Sequence, residues 1–200
     1  MPNKKVKHEL KKWKILEEKT VYQCDPWIRL DVHKVKLPDG QIIDDFHYLA
    51  MPEYVVVYPV TSNDKVLMLE AYRHGVGGIT CLFPGGLIDK GETPLCAAKR
   101  ELLEETGYGC GVWQSTGTYV PHSNYGGGRV HMFKVEGVEK IQTPNSGDLE
   151  ETNIHLFNHS SLVQLLIEGR IASLSSISAL LLGINNNPLI NRATRHSANL

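Results

Sequence analysis

The chain has 200 residues, of which 21 are basic and 22 are acidic, and 42% are hydrophobic. This length accommodates one domain with a substantial core, or one domain with a short extension. The near balance of charge argues against a protein that binds nucleic acid or a membrane surface, because such proteins usually carry a basic face. No apolar run reaches the length of a bilayer span, and no signal-peptide core follows the N-terminal lysines, so we expect a soluble cytoplasmic protein.

The first third of the chain has the pattern of short strands. Tyr22–Cys24 and Ile28–Val35 are rich in β-forming residues, and Pro38-Asp39-Gly40 is a turn signal between two strands. Two longer apolar runs follow, Tyr54–Val60 and Val66–Tyr72, with a polar turn between them. This pattern predicts a buried antiparallel pair.

The clearest helix signal covers Pro94–Thr106. Thr93 is a suitable N-cap, proline is tolerated at the first helical position, and Gly107 is the expected stop. Further strands are predicted at residues 112–120, 130–135 and 153–157, and further helices at 160–168 and 173–182, separated by Gly169. Mixed strands with few helices predict an α+β fold or an α/β/α sandwich.

The four cysteines are scattered and include no C-x-x-C pair: Cys24, Cys81, Cys96 and Cys110. This spacing indicates neither a zinc ribbon nor a disulfide framework. We therefore expect buried, reduced thiols.

Three glutamates share one face of the predicted helix, because Glu101, Glu104 and Glu105 are spaced i, i+3 and i+4. The opposite side is predicted to meet the core through Leu95, Ala98, Leu102 and Thr106. Like-charge pairs at this spacing repel by about 0.2–0.5 kcal/mol each, and a hard cation would reverse that effect. Taken alone, a solvated acidic face is the commoner explanation of such a pattern.

The residues around this helix favour a metal site over a solvated acidic face. The stretch GLIDKGETPLCAAKRELLEETGY resembles the Nudix box, G-x5-E-x7-R-E-U-x-E-E-x-G-U, in which U is a bulky aliphatic residue. The matching positions are Gly86, Glu92, Arg100, Glu101, Leu102, Glu104, Glu105 and Gly107. Only the final U of the pattern differs, because Tyr108 replaces an aliphatic residue there.

The resemblance implies a fold and a chemistry. It implies a Nudix-type α/β/α sandwich with a mixed sheet, and Mg²⁺ or Mn²⁺ held by Glu101, Glu104, Glu105 and the carbonyl of Gly85. The metal would clamp a diphosphate and activate water, with Glu105 counted among the catalytic residues. By the same resemblance, Glu92 and Arg100 would tie the box loop to the helix.

Outside the box, the chain is most similar to the ADP-ribose pyrophosphatase branch. Glu70-Ala71-Tyr72-Arg73 resembles that branch's Q-Y-R segment, which implies that Arg73 contacts substrate phosphate; an ordinary surface arginine is the alternative. The segment around Pro38-Asp39-Gly40 resembles the branch's added N-terminal sheet, which helps to build a homodimer. Leu82 stands where the branch often has a glutamate.

Two further roles are predicted more loosely. Either Glu150 or Glu151, on a late acidic loop, is the candidate general base, against the alternative of a solvated loop. Trp27 and Phe46 are candidate stacking partners for adenine, although an aromatic residue is more often part of a core.

The sequence therefore predicts a metal-dependent hydrolase that cleaves ADP-ribose or another ADP-sugar to AMP and a sugar phosphate. The alternatives are a pyrophosphatase for another nucleoside-diphosphate sugar or a dinucleotide, and a Nudix-fold sensor that binds a nucleotide without cleaving it. We predict an N-terminal extension over residues 1–50, a Nudix domain over 51–184 and a mobile tail over 185–200.

Overall fold

The computed structural model describes residues 10–147 and 151–184. The chain divides into two compact units. Of the described residues, the first unit contains 10–51 and 122–127, and the second contains 52–121, 128–147 and 151–184. The predicted tail at 185–200 lies outside the described residues.

The N-terminal unit is an antiparallel sheet of three strands, β1 (Lys14–Cys24), β2 (Ile28–Lys36) and β3 (Ile42–Ala50), in the order β1-β2-β3. The predicted Pro38-Asp39-Gly40 turn connects β2 to β3. Its backbone is closed by the Asp39 carboxylate, which accepts the Gln41 N–H at 2.9 Å. The separate segment 122–127 joins this sheet, because the Leu49 N–H donates to the Tyr125 carbonyl at 2.7 Å.

In its described part, the second unit contains one seven-stranded mixed sheet and three helices. Its strands are β4 (Tyr54–Thr61), β5 (Val66–Arg73), β6 (Gly78–Leu82), β7 (Tyr108–Gly109), β8 (Val112–Tyr119), β9 (Val130–Lys140) and β10 (Thr152–Phe157). The path runs β10-β5-β4-β9-β7, with β6 paired to β5 and β8 paired to β9. The predicted pair β4 and β5 is antiparallel, whereas β4 and β9 are parallel.

Helix α1 (Pro94–Thr106) has the predicted bounds because both ends carry local signals. The Thr93 hydroxyl accepts the Cys96 N–H at 3.3 Å, and Gly107 adopts a left-handed conformation with φ 74°. The buried residues are Ala97, Ala98, Leu102, Glu105 and Thr106. The placement of Leu95 in the core was wrong, since its side chain is exposed: it lies in the first turn, at the rim of the buried face.

Alternate residues of β4 pack on opposite sides of the sheet, as expected for an extended strand. Val55 and Val57 belong to the apolar cluster that contains Ala98 and Leu102 of α1. Val56 and Tyr58 belong to a second cluster, with residues of α2 (His159–Ile167) and α3 (Leu174–Ile184). Helices therefore cover both faces, and the predicted α/β/α sandwich with an added antiparallel sheet is confirmed.

Two other expectations can be compared with the structure. Only Cys81 is a buried thiol, and the prediction for Cys24, Cys96 and Cys110 was wrong because all three are exposed. No helix in the described part of the chain is long and apolar enough to cross a membrane.

Candidate active site

The loop before helix α1 lies directly against strand β4. The Val57 N–H donates to the Pro84 carbonyl, and the Val55 N–H donates to the Gly86 carbonyl, both at 2.9 Å. A side chain at Gly85 would collide with the Val55 carbonyl oxygen. Glycine is therefore required at position 85 for the loop to approach the strand this closely.

Glu105 ties this loop to the helix. Its side chain is buried, with a relative exposure of 8%, and its Oε2 accepts the Gly85 N–H at 2.8 Å. The Gly85 N–H is thus fixed by the Glu105 carboxylate.

Glu101 lies against the same loop, one turn earlier on the helix. A side chain at Gly86 would overlap its carboxylate, so glycine at position 86 provides the space that Glu101 occupies. The two consecutive glycines, Gly85 and Gly86, therefore have different structural roles. Gly85 lets the loop approach β4, and Gly86 lets a carboxylate of α1 approach the loop.

Arg100 is the ionic centre of the segment. Its Nε and Nη2 donate to both oxygens of Glu92, at 3.1 and 2.9 Å, and Nη2 also donates to the Leu87 carbonyl at 3.0 Å. Its Nη1 donates to Glu101 at 2.7 Å and to Glu104 at 3.2 Å. These carboxylates raise the pKa of the guanidinium, with Glu92 the largest cause. Arg100 in turn lowers the pKa of Glu92.

This geometry places the predicted box residues Glu92, Arg100, Glu101 and Glu104 in one ion-pair network. A bidentate guanidinium–carboxylate pair fixes orientation as well as distance. The loop and the helix are consequently held in register before any ligand arrives.

The donor set suits a hard divalent cation, because carboxylate and carbonyl oxygens are the ligands such ions prefer. Among the described residues, no three acidic, histidine or cysteine side chains converge closely enough to enclose an ion alone. Mg²⁺ commonly takes one or two protein carboxylates and completes its shell with waters and substrate phosphates. The residues therefore fit an open site that a bound phosphate would complete.

A cavity of about 360 Å³ lies in the same unit of the chain. Its wall includes Gly85 of the box loop and Arg73, at the end of β5, together with Tyr54, Phe83, Ser173 and Ser175. Arg73 is thus brought to the cavity that Gly85 borders, and it is engaged in interactions within the protein.

The predicted base candidates lie on the loop before β10. Glu150 lies outside the described residues. Glu151 is exposed and immediately precedes Thr152, which pairs with Ala71 on β5. Because Ala71 is two residues before Arg73, the register places Glu151 near the same end of β5.

The two predicted adenine partners belong to the N-terminal unit and have different environments. Trp27 follows the Asp25-Pro26 cis peptide at the β1–β2 turn and is 61% exposed, so it is not a core residue. Phe46 packs edge-on against Trp13, with ring centroids 5.6 Å apart.

Sequence reasoning missed the role of Glu70, which stands in the segment that resembles Q-Y-R. Its Oε1 accepts Arg170 Nη2 at 2.9 Å, and its Oε2 contacts His155 Nε2 at 3.2 Å. Arg170 is the largest cause of the lowered pKa of Glu70. Glu70 thus joins β5 to β10 and to the segment between α2 and α3.

Comparison with known proteins agrees with the fold and the box. The NUDIX domain family matches residues 51–174, and a family described as the nucleoside diphosphate sugar hydrolase N-terminal domain matches residues 13–49. This chain belongs to the NUDIX domain family, and it is a Nudix hydrolase. Nudix hydrolases generally use divalent metals.

The chain is also similar to individual proteins of known name. The ADP-ribose pyrophosphatase of Bacillus subtilis is 30% identical over 142 residues, covering 69% of this chain and 76% of the relative. The methanol dehydrogenase activator of Bacillus methanolicus is also 30% identical over 142 residues, covering 69% and 75%. A crystal structure of an ADP compounds hydrolase superposes with a TM-score of 0.74 at 22% identity, covering 88% of this chain and 94% of that chain, and supports the fold.

Proposed function

We propose that this enzyme hydrolyses the diphosphate bond of a nucleoside-diphosphate sugar, with ADP-ribose the favoured substrate and AMP and a sugar phosphate the products. The observation that carries the proposal is the buried Glu105 carboxylate bound to the Gly85 N–H at 2.8 Å. It joins the acidic helix to the loop whose carbonyl completes the proposed ligand set. The relative from Bacillus subtilis, named ADP-ribose pyrophosphatase, supports the choice of substrate.

Glu101, Glu104, Glu105 and the Gly85 carbonyl are the proposed ligands of Mg²⁺ or Mn²⁺. When bound, the metal stabilises the negative charge that develops on the phosphate and makes water a stronger nucleophile. The protein's own contribution is to hold these oxygens in place. Arg100 does this for Glu101 and Glu104 through two hydrogen bonds, and Gly85 does it for Glu105.

Arg73 is proposed to bind the substrate phosphate, because its planar guanidinium matches phosphate oxygens and it lines the cavity beside Gly85. The general base is proposed to be Glu151 or Glu150. The pairing of Thr152 with Ala71 supports Glu151, since it brings the late loop towards the end of β5 that carries Arg73. A base on a loop becomes competent when substrate closes the loop.

For the nucleotide base, Trp27 and Phe46 remain the proposed stacking partners. Trp27 presents an exposed ring that a purine can cover. Phe46 already packs against Trp13, so it would contribute through that aromatic pair. The cytoplasmic location stays a prediction from the sequence.

We also propose that the enzyme is a homodimer. Every residue of β1 is exposed, including Ile15, Val21 and Tyr22, although the strand is eleven residues long. β1 is also the edge of its sheet. Exposed apolar edge strands are surfaces that a second chain covers.

The substrate is tested by measuring AMP release from ADP-ribose with Mg²⁺, with Mn²⁺ and with a chelator. GDP-mannose and a dinucleotide serve as competing substrates. We expect metal-dependent release of AMP, fastest with ADP-ribose. Preference for another member of the panel would keep the hydrolysis and change the substrate. Tight nucleotide binding without any turnover would favour a sensor and contradict the proposal.

A further inference from the structure

Three residues with hydroxyl groups line the wall of the cavity beside Gly85. The Ser175 and Ser173 hydroxyls are 2.7 Å apart, and Tyr54 lines the same cavity as both serines. Tyr54 begins strand β4, whereas the two serines lie at the start of α3. The metal and phosphate chemistry proposed above uses none of them.

This hydroxyl cluster, Tyr54, Ser173 and Ser175, has hydrogen-bonding capacity beyond its internal bond. Each hydroxyl offers one donor and two acceptor lone pairs. The one hydrogen bond between Ser173 and Ser175 uses one donor and one lone pair. The remaining capacity consists mostly of acceptors, which suits a ligand that presents several O–H donors, as a sugar does.

The rest of the cavity wall fits the other parts of a sugar phosphate. Arg73 supplies positive charge for a phosphate, and Phe83 and Val76 supply apolar surface for the C–H face of a sugar ring. No acidic residue is among the described residues that line the cavity.

Size points to one half of the substrate. The volume of about 360 Å³ is near the lower end of the roughly 300–1,000 Å³ typical of ligand pockets. A cavity of this size accommodates a sugar phosphate better than a whole nucleoside-diphosphate sugar. Because Gly85 is both a wall residue and a proposed metal ligand, the cavity lies beside the proposed position of the reacting diphosphate.

We propose that the cavity binds the sugar phosphate half of the substrate, with the hydroxyl cluster recognising the sugar hydroxyls and Arg73 the phosphate. This inference rests on the proposed function, which it extends by assigning residues to the sugar. It predicts that Tyr54 and Ser175 determine selectivity for the sugar and leave phosphate affinity unchanged.

The test measures binding by calorimetry, without turnover. Wild type, Tyr54→Phe and Ser175→Ala are each titrated with ribose 5-phosphate and with inorganic phosphate. Loss of one neutral hydrogen bond should weaken ribose 5-phosphate by about two- to tenfold and leave phosphate unaffected. Matched controls are Tyr119→Phe and Ser178→Ala, since Tyr119 donates to the Thr116 carbonyl and Ser178 to the Leu174 carbonyl, both outside the cavity wall.

The outcomes separate this inference from the proposed function. Selective weakening in Tyr54→Phe and Ser175→Ala, with unchanged thermal unfolding, supports the sugar site even if ADP-ribose is not the preferred substrate. Ribose 5-phosphate that binds wild type no more tightly than phosphate would overturn it. So would equal weakening of both ligands, or an effect of the same size in the controls, while AMP release from ADP-ribose could still stand.

Discussion

The loop–helix segment, residues 83–107, and strand β1 differ in how their side chains are accommodated. Charged groups of the segment form hydrogen bonds within the protein, whereas apolar side chains of β1 are exposed to solvent. In the loop–helix segment, the buried Glu105 bonds to Gly85 and Arg100 holds three further carboxylates. In β1, by contrast, all eleven residues are exposed, apolar ones included. The contacts of the loop–helix segment are therefore made within one chain, whereas β1 has an exposed apolar surface that the proposed dimer would cover.

The largest effect is expected from a substitution at the close contact between the loop–helix segment and β4. Gly85→Ala places a methyl group against the Val55 carbonyl, so the loop must shift. Overpacking of this kind costs about 1–3 kcal/mol of stability, and a displacement near 1 Å at a reaction centre costs on the order of 10²-fold in rate. Denaturant unfolding and AMP release measure the two effects.

Gly78→Ala is the matched control, because the structure has open space for its methyl group. It should change stability and rate much less. Equal behaviour of Gly85→Ala and Gly78→Ala would show that the close approach of the loop to β4 is dispensable.

The next effect concerns β1. Val21→Lys places a charge on a strand whose apolar residues are exposed, so it should convert a dimer to a monomer at micromolar concentration, as measured by light scattering. In the Val21→Lys monomer, the unit that contains the seven-stranded sheet should unfold as cooperatively as it does in the wild-type protein. A wild-type protein that is already monomeric under these conditions would contradict the proposed dimer.

The smallest effect is a pH dependence within the loop–helix segment. Arg100 lowers the pKa of Glu92 in the folded state, so the ionised carboxylate stabilises the fold. That contribution is complete above the ordinary glutamate pKa of about 4.3 and is lost as the pH falls through the lowered value. Glu92→Gln should therefore be less stable than wild type at pH 7, with the difference shrinking below about pH 4.

Unfolding followed at pH 7, 5 and 3 checks this sign. Glu168→Gln is a suitable control, because Glu168 accepts an exposed hydrogen bond from Gln164 and lies outside the box. A stability difference for Glu92→Gln that grows on acidification would contradict the account.

The features that could be predicted are those determined by residues close together in the sequence. Helix α1 has its predicted bounds because Thr93, Pro94 and Gly107 act on adjacent backbone groups. Strand β6 was not predicted, because five residues beginning with glycine carry little pattern and their position is set by pairing with β5. Leu95 was misplaced because helical periodicity gives the side of the helix that faces the core but not how far along the helix the core extends.

The parts of the site built from distant residues were beyond sequence reasoning. Glu70 and Arg170 are 100 positions apart, and Tyr54 and Ser175 line one cavity although they lie in distant parts of the sequence. No local spacing relates such residues, so their contacts follow from the topology of the sheet and helices. The box was predictable for the opposite reason, since its ligands lie on one short loop and one helix face.

The loop–helix segment is proposed to be a metal-dependent hydrolytic site, and Glu105→Gln tests this proposal most directly. AMP release from ADP-ribose with Mg²⁺ is measured for wild type, Glu105→Gln and the control Glu168→Gln. Loss of charge stabilisation worth several kcal/mol predicts a decrease on the order of 10²–10³-fold for Glu105→Gln alone. Glu105→Gln with wild-type, metal-dependent activity would contradict the assignment of this segment as the reaction centre.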